Sequence, residues 1–221
     1  MSRLENLVKR SSDVVLSLVL LVLLSPLLLL CVAAVWLADG PPVLFRHKRV
    51  GRYGRPFYVL KFRTMRPEPG GEVTIAHDPR VTYVGGLLRR YKLDELPQLW
   101  NVLVGEMSIV GPRPEVPAYV ARHERAYRAV WDLRPGITDW ASILFRDEEH
   151  LLHAHRADGG FYERVLLPRK LALARLYRRR RSWGLDARLI VATPCAAAGL
   201  DVLVRALVGR SFAKRARAGF D

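Results

Sequence analysis

The chain reads as an α+β protein with an N-terminal membrane hairpin of helix, break and helix. Three observations predict that class. Residues Val14 to Ala38 form a nearly uninterrupted apolar run of 25 residues, split by Ser25-Pro26. Two alternating segments around the glycines of Val50–Gly54 read as a small β-hairpin. Most of the rest has helical periodicity punctuated by proline and glycine, and its last apolar stretch lies among basic residues, as interfacial amphipathic helices do.

The apolar run comes first. As one straight helix it would reach about 37 Å, enough for a hydrocarbon core of about 30 Å. Pro26 lacks an amide hydrogen and crowds the preceding turn, so the helix kinks there. Val14–Leu24 and Leu27–Ala38 then each have about half the needed depth. The Ser25 hydroxyl stands where it can bond a carbonyl freed by the kink. Arg3, Lys9 and Arg10 precede the run; Arg46, Lys48, Arg49, Arg52 and Arg55 follow it. Lysine and arginine mark the cytoplasmic side of membrane segments, so both ends ask for one face. A re-entrant hairpin turning at Ser25 and Pro26 satisfies both observations, while composition alone leaves a kinked transmembrane helix equally open. The run is too long for a cleaved signal peptide, and no small-residue site follows Trp36-Leu37.

After Pro41-Pro42, Val43–Arg49 and Arg55–Met65 read as strands. Alternation sets Phe57, Val59, Lys61 and Arg63 on one face and Tyr58, Leu60, Phe62 and Thr64 on the other. Two cations on one strand face are a solvated surface or an anion site. Pro67–Gly71 is loop, Asp78-Pro79-Arg80 a turn, and Val81–Tyr91 a short helix ending in Arg89-Arg90. Asp94 is placed to cap the next helix, with Pro97 in its first turn and Leu99, Trp100, Val102 and Leu103 as its apolar residues. Gly111-Pro112-Arg113-Pro114 is a stiff loop. Pro117–Ala129 reads as helix, and Leu133–Thr138 as a rigid turn around Pro135-Gly136. Asp147–His155 and Phe161–Arg181 read as helices. Leu185–Val208 is a closing helix broken near Pro194 and Gly199, with Arg205, Arg210, Lys214, Arg215 and Arg217 beside it. The organisation predicted is a membrane hairpin over 1–38, a domain on the cytoplasmic side over 39–184 and a helical basic, interfacial segment over 185–221.

The formal charge is +15, from 36 Lys and Arg against 21 Asp and Glu. In a soluble protein that balance suggests nucleic acid. Beside a membrane segment it points more economically to anionic headgroups or phosphate-bearing substrates, with no nucleic-acid partner. The two cysteines, Cys31 and Cys195, make no disulfide framework, and a reducing compartment fits. The chain has no internal repeat.

The most suggestive cluster is Arg89, Arg90, Lys92, Asp94 and Glu95. Adjacent carboxylates repel, and a divalent cation is one reason to keep them together. The plainer reading is a cap, a residue complementing the helix dipole, and solvated cations. No dinucleotide fingerprint, P-loop, metal-binding histidine pair or serine elbow is present; His47, His77, His123, His150, His153 and His155 are scattered. Carboxylates, guanidinium groups and a membrane anchor are parts that suit phosphoryl transfer.

Three motifs then carry a resemblance. Lys61-Phe62-Arg63-Thr64-Met65, the run from Leu93 to Leu103, and the run from Gly105 to Glu115 closely resemble the bacterial sugar transferases. These are the monotopic polyprenyl-phosphate phosphoglycosyl transferases that begin glycoconjugate and exopolysaccharide assembly. The likeness runs from about Lys9 to Thr138 in unbroken order and more loosely to about residue 195. The length is similar to that of the family's small single-domain form. The resemblance implies that Asp94 attacks the β-phosphate of a UDP-sugar and expels UMP, and that polyprenyl (undecaprenyl) phosphate then takes the phosphosugar from the carboxylate. It implies Mg²⁺ at the dyad of Asp94 and Glu95, with Glu95 binding metal or handling a proton. Lys61, Arg89 and Arg113 match cations near the phosphates, and with Arg63 they are the candidate phosphate- and nucleotide-binding residues. Ser25-Pro26 matches the break of the family's re-entrant helix. The partners implied are the UDP-sugar, the polyprenyl phosphate and membrane lipids, with room for downstream glycosyltransferases. The location implied is the cytoplasmic face of the bacterial inner membrane.

The chain departs from the family where Gly-Trp-Ala-Gln often follows Pro-Gly-Ile-Thr. Asp139-Trp140-Ala141-Ser142 stands there instead, changing polarity at Asp139 and Ser142. Two rival readings account for less of the sequence. A phospholipid-type alcohol phosphotransferase needs a spaced aspartate motif within several membrane helices, against one clear membrane run here. A membrane-tethered basic scaffold or nucleic-acid binder explains the charge but not the ordered motifs.

Overall fold

The computed structural model describes residues 3–67 and 78–209, a mixed α and β chain with two small sheets. His77, most of the Pro67–Gly71 loop, and Arg210, Lys214, Arg215 and Arg217 lie outside the described residues.

Helix α1 (Arg3–Leu23) and helix α2 (Ser25–Asp39) meet at Leu24 with a bend of 63°. Pro26 sits in the first turn of α2, where its missing N–H costs least. Val22 lies four residues before Pro26, so its carbonyl is the one a proline nitrogen cannot serve; Ser25 Oγ donates to it at 2.8 Å. No single described helix is long and apolar enough to cross a membrane, whereas the bent pair passes that test together. Leu18, Val22, Leu23, Leu29, Leu30 and Leu37 are exposed along it.

The first turns of α1 belong to the domain rather than to a surface. Lys9 is buried between Asp13 (3.0 Å) and Asp186 (2.8 Å). Asp13 also accepts from Ser108 Oγ at 2.7 Å, and Tyr177 donates to Asp186 at 2.8 Å. Arg10 donates to the carbonyls of Val102 (2.5 Å) and Leu103 (2.9 Å). Two of the cations read from sequence as flanks of the membrane run are therefore spent on internal partners.

Strands β1 (Leu44–Val50) and β2 (Pro56–Phe62) pair antiparallel, Leu44 opposite Phe62 and Val50 opposite Pro56. The expected alternation holds: Phe57 and Val59 face the main core. Phe62, on the opposite face, is also buried, against Cys31 and Val35 of α2 and Leu88. Next come α3 (Tyr83–Arg90), a tight turn at Leu93–Glu95, and α4 (Gln98–Val104). Thr82 caps α3 by accepting from Gly85 N. Strand β3 (Ser108–Val110) is followed by α5 (Pro117–Arg122) and α6 (Glu124–Arg128), which break the single helix predicted over Pro117–Ala129 at His123.

Strand β4 (Gly136–Thr138) runs parallel to β3 where the sequence predicts only a turn. Helices α7 (Trp140–Leu144) and α8 (Glu148–Ala154) follow, then a wide turn at Tyr162–Leu166 and α9 (Leu167–Arg180). Helix α10 (Trp183–Ala197) continues through Pro194, so the break predicted there is absent; the break at Gly199 (φ 75°) is real and starts α11 (Asp201–Val208). The main core joins β2, α4, α7, α9 and α10 to Leu16 and Leu20 of α1.

Candidate active site

The local chain path sets the two carboxylates apart. Lys92 takes a left-handed conformation (φ 58°), which ends α3 and starts the tight turn Leu93–Glu95. Helix α4 begins only at Gln98, after Pro97, and carries no side-chain cap. Asp94 is thus not the N-cap predicted for it: proline enforces a fresh start three residues later. Both carboxyl groups are buried, Asp94 at 7% and Glu95 at 9% exposure.

Glu95 is fully committed. Its Oε1 accepts from Lys61 Nζ at 2.8 Å and from Arg113 Nη2 at 2.5 Å, and its Oε2 accepts from Arg113 Nη1 at 3.2 Å. Burial alone would push its carboxyl up, but Arg113 and Lys61 outweigh burial and hold it well below the usual carboxylate range. Burial pulls the Lys61 ammonium down and Glu95 restores part of that loss, while the same carboxylate raises Arg113.

Asp94 behaves oppositely. Its Oδ1 is buried and has no hydrogen-bond partner among the described residues. Burial raises its carboxyl above the ordinary aspartate range, with Lys61 opposing and the Glu95 charge reinforcing the rise. The site holds one ionised carboxylate locked between two cations, and beside it a carboxylate with an oxygen to spare.

Three of the predicted cations reach this neighbourhood. Lys61 arrives from the end of β2 and Arg113 from the proline-flanked loop after β3. Arg89, on the last turn of α3, pairs with Glu149 while its charge still acts on Asp94. Arg63 is not brought to the dyad with them. It shares the strand parity of Lys61 but lies beyond the strand end, and its guanidinium donates to the carbonyls of Asp39, Gly40 and Pro41, closing the C-terminus of α2.

Among the described residues no three His, Cys, Asp or Glu side chains gather as a metal site. Glu95, predicted as a metal ligand, has both oxygens on cations. The available donor is Asp94 Oδ1, which fits Mg²⁺ in the manner of sites completed by substrate phosphates and water. A cavity of about 60 Å³ lies behind Arg113, lined by Glu115, Trp131 and Lys170 and not by Asp94 or Glu95.

Sequence reasoning passed over Asn101. It is 1% exposed on α4, accepts from Leu60 N at 3.0 Å, and donates to Tyr58 O at 2.8 Å and Glu106 Oε2 at 2.7 Å. Its own carbonyl accepts from the amides of Gly105, Glu106 and Met107. It therefore ties the strand of Lys61 to the helix that follows the dyad. An amide between the core residues Leu99 and Val102 was the signal: a polar group at a buried position needs partners. Asp139, flagged by sequence only as a departure, caps α7, its Oδ1 accepting from Ser142 N at 2.7 Å and Ser142 Oγ at 2.6 Å.

The family described as "Bacterial sugar transferase" matches residues 4–199. The chain is 44% identical over 149 residues to the UDP-glucose:undecaprenyl-phosphate glucose-1-phosphate transferase of Escherichia coli (strain K12), an alignment covering 65% of this chain and 32% of that protein. It is 42% identical over 162 residues to the exopolysaccharide production protein ExoY of Rhizobium meliloti (strain 1021), covering 65% and 71%. It is 38% identical over 145 residues to the UDP-N-acetylgalactosamine-undecaprenyl-phosphate N-acetylgalactosaminephosphotransferase of Aeromonas hydrophila, covering 62% and 34%. The chain thus spans about a third of the Escherichia coli and Aeromonas proteins and most of the Rhizobium one.

Proposed function

This chain belongs to the bacterial sugar transferase family, and on that premise we propose that it moves a sugar 1-phosphate from a UDP-sugar to undecaprenyl phosphate. A carboxylate oxygen of Asp94 attacks the β-phosphorus, and the bond from that phosphorus to the bridging oxygen breaks. The electron pair leaves with UMP, and the sugar phosphate stays on Asp94 as an acyl phosphate. An oxygen of the lipid phosphate then attacks the same phosphorus, breaks its bond to Asp94, restores the carboxylate and yields the polyprenyl diphosphate sugar. The relatives named for undecaprenyl-phosphate sugar transfer support the substrate classes.

One observation carries the assignment of roles: a buried Asp94 oxygen without a partner among the described residues adjoins a Glu95 whose oxygens both accept from cations. Both Glu95 oxygens already accept from Lys61 or Arg113, which hold the carboxylate in place and draw on its charge, whereas Asp94 Oδ1 accepts from no described residue and is the better nucleophile. Glu95 instead holds those cations where the diphosphate charge develops, preorganised for the leaving UMP. Mg²⁺, held by Asp94 together with the substrate phosphates, would supply charge screening as an anion approaches an anion.

The membrane part of the reading is a hairpin that enters and leaves through the cytoplasmic leaflet. The bend at Ser25-Pro26, the repaired Val22 carbonyl and the exposed leucines on both arms support it. So does α3, which packs beside α2 and exposes Tyr83 and Leu87, with exposed Tyr91 just past its end at the same four-residue spacing, a stripe suited to headgroup depth.

The test is a half-reaction assay. The purified protein is incubated with Mg²⁺ and a panel of UDP-sugars, with UMP release and protein-bound phosphosugar read before and after adding undecaprenyl phosphate. Bound phosphosugar that vanishes in Asp94→Asn and is discharged by the lipid phosphate is the expected result. Turnover at the parent rate in Asp94→Asn removes the nucleophile assignment.

A further inference from the structure

Arg113 stands between two prolines, and neither Pro112 nor Pro114 has a backbone N–H. Its own N–H is the one main-chain donor of that stretch, and it donates to Oδ2 of Asp139 at 3.3 Å. Asp139 is 4% exposed, and its other oxygen is occupied in capping α7. Capping needs one carboxylate oxygen, so the second bond is not explained by the helix.

The small parallel sheet brings the two residues together. Strands β3 and β4 pair Ser108 with Gly136 and Val110 with Thr138. Gly111 N donates to Thr138 O at 3.1 Å and Gly136 N to Pro112 O at 3.0 Å, so pairing continues to the last residue before Arg113. Arg113 and Asp139 leave the same end of the sheet. From there the Arg113 side chain, 36% exposed, reaches Glu95. One buried carboxylate thus fixes the backbone of the residue whose guanidinium meets the dyad.

We infer that Asp139 is a positioning residue that aims Arg113 at the diphosphate of the sugar nucleotide, with the start of α7 as its rigid support. The inference rests on the proposed function, because it takes the phosphates to lie at Asp94.

Asp139→Asn tests it in the full chain. Asparagine caps helices as well as aspartate does, but with its oxygen on Ser142 it turns an amide NH₂ toward the Arg113 N–H. A displaced arginine should lower kcat/KM for UMP release by about tenfold, with the thermal midpoint near that of the parent. In an Arg113→Ala background the same substitution should change kcat/KM by less than about twofold, because the residue it acts through is gone. Ser142→Ala leaves Asp139 its two backbone donors and should change little. UDP affinity, measured by calorimetry across the same cycle, should weaken with Asp139→Asn only where Arg113 is present. Equal losses in both backgrounds, or no loss in either, would overturn the inference. A chain that binds UDP in this pattern yet releases no UMP from any UDP-sugar overturns the proposed reaction and leaves the positioning role supported.

Discussion

Asp94 and Glu95 are neighbours in sequence whose carboxyl groups are driven in opposite directions, Asp94 up by burial and Glu95 down by Arg113 and Lys61 despite burial. The tight turn at Leu93–Glu95 separates their side chains, so Glu95 meets two cations while Asp94 Oδ1 has no hydrogen-bond partner among the described residues. A pair pushed apart in proton affinity has divided its roles. On the proposed mechanism the division is between a reacting group, Asp94, and a holder of cations, Glu95.

A pH dependence follows. The proposed mechanism needs Asp94 ionised, and burial raises its carboxyl above the ordinary aspartate value of about 3.9. UMP release in single turnover should fall on the acid side through one ionisation lying above that range. Glu95, held low, should add no second acid limb there. Two limbs of equal weight above pH 4 would contradict the division.

Asp94→Asn should abolish phosphosugar formation and stabilise the fold. A raised folded pKa means the folded state holds its proton more tightly than the unfolded chain. Stability is then lost as pH rises from about 3.9, the unfolded value, through the folded one. At neutral pH the ionised side chain is a net cost that an amide removes. Thermal midpoints of the two proteins at pH 7, read by circular dichroism in detergent, check the sign: the Asn variant should melt higher.

Glu95→Gln should do the reverse. Its depressed carboxyl contributes stability above the unfolded value of about 4.3, lost only as pH falls through the folded one. Removing the charge leaves Lys61 and Arg113 facing each other without a counter-ion. Breaking a buried pair typically costs about 3 kcal/mol; with Arg113 36% exposed, about 2 kcal/mol is expected here. Denaturant unfolding should show the loss, and UMP release should fall as both cations drift from their places.

The β-hairpin and the break at Ser25 were readable because each is written in a few adjacent residues: alternation, glycine, proline. Which strand face turns inward was not, since Phe57 and Val59 share theirs with Lys61. The convergence of Lys61, Asp94, Glu95 and Arg113 was expected from motif resemblance, and no local pattern states it. The pairing of β3 with β4 was hidden, since three-residue strands more than twenty residues apart have no periodic signature. Arg63 looked like a site cation because strand parity records direction and not the carbonyls waiting at the end of α2. Lys9 looked like a membrane flank for a similar reason: its partners Asp13 and Asp186 include one from α10, far along the chain.

Asn101→Leu fills the same space and strands Leu60 N and Tyr58 O, which Asn101 serves now. A fully buried group left unpaired costs about 1–3 kcal/mol; these two are only partly buried, so a loss of about 2 kcal/mol is expected by urea unfolding. Asn101→Asp keeps the acceptor for Leu60 N but sets a carboxylate oxygen against Tyr58 O and Glu106, so it should be no milder. Recovery of parent stability by Asp would mean that the donor half of the amide does nothing.

The bend between α1 and α2 depends on a repair as well as a break. Pro26 denies the Val22 carbonyl its helical partner and Ser25 Oγ replaces it at 2.8 Å. In hydrocarbon an unpaired carbonyl costs several kcal/mol, so in the proposed membrane hairpin the serine would make the bend tolerable. Pro26→Leu restores the amide and removes the ring clash, letting the two helices run on as one long enough to span. Cysteine-accessibility labelling should then find the parent's Arg3 and Arg46 ends on the same side of the membrane and the Leu variant's on opposite sides. Ser25→Ala should leave the topology of the parent and lower the yield of membrane-inserted protein, because it removes the repair without restoring the helix. If the Leu variant keeps both ends on one face, the turn is imposed by the packing of α1 on α4 and of α2 on α3, and proline only accommodates it.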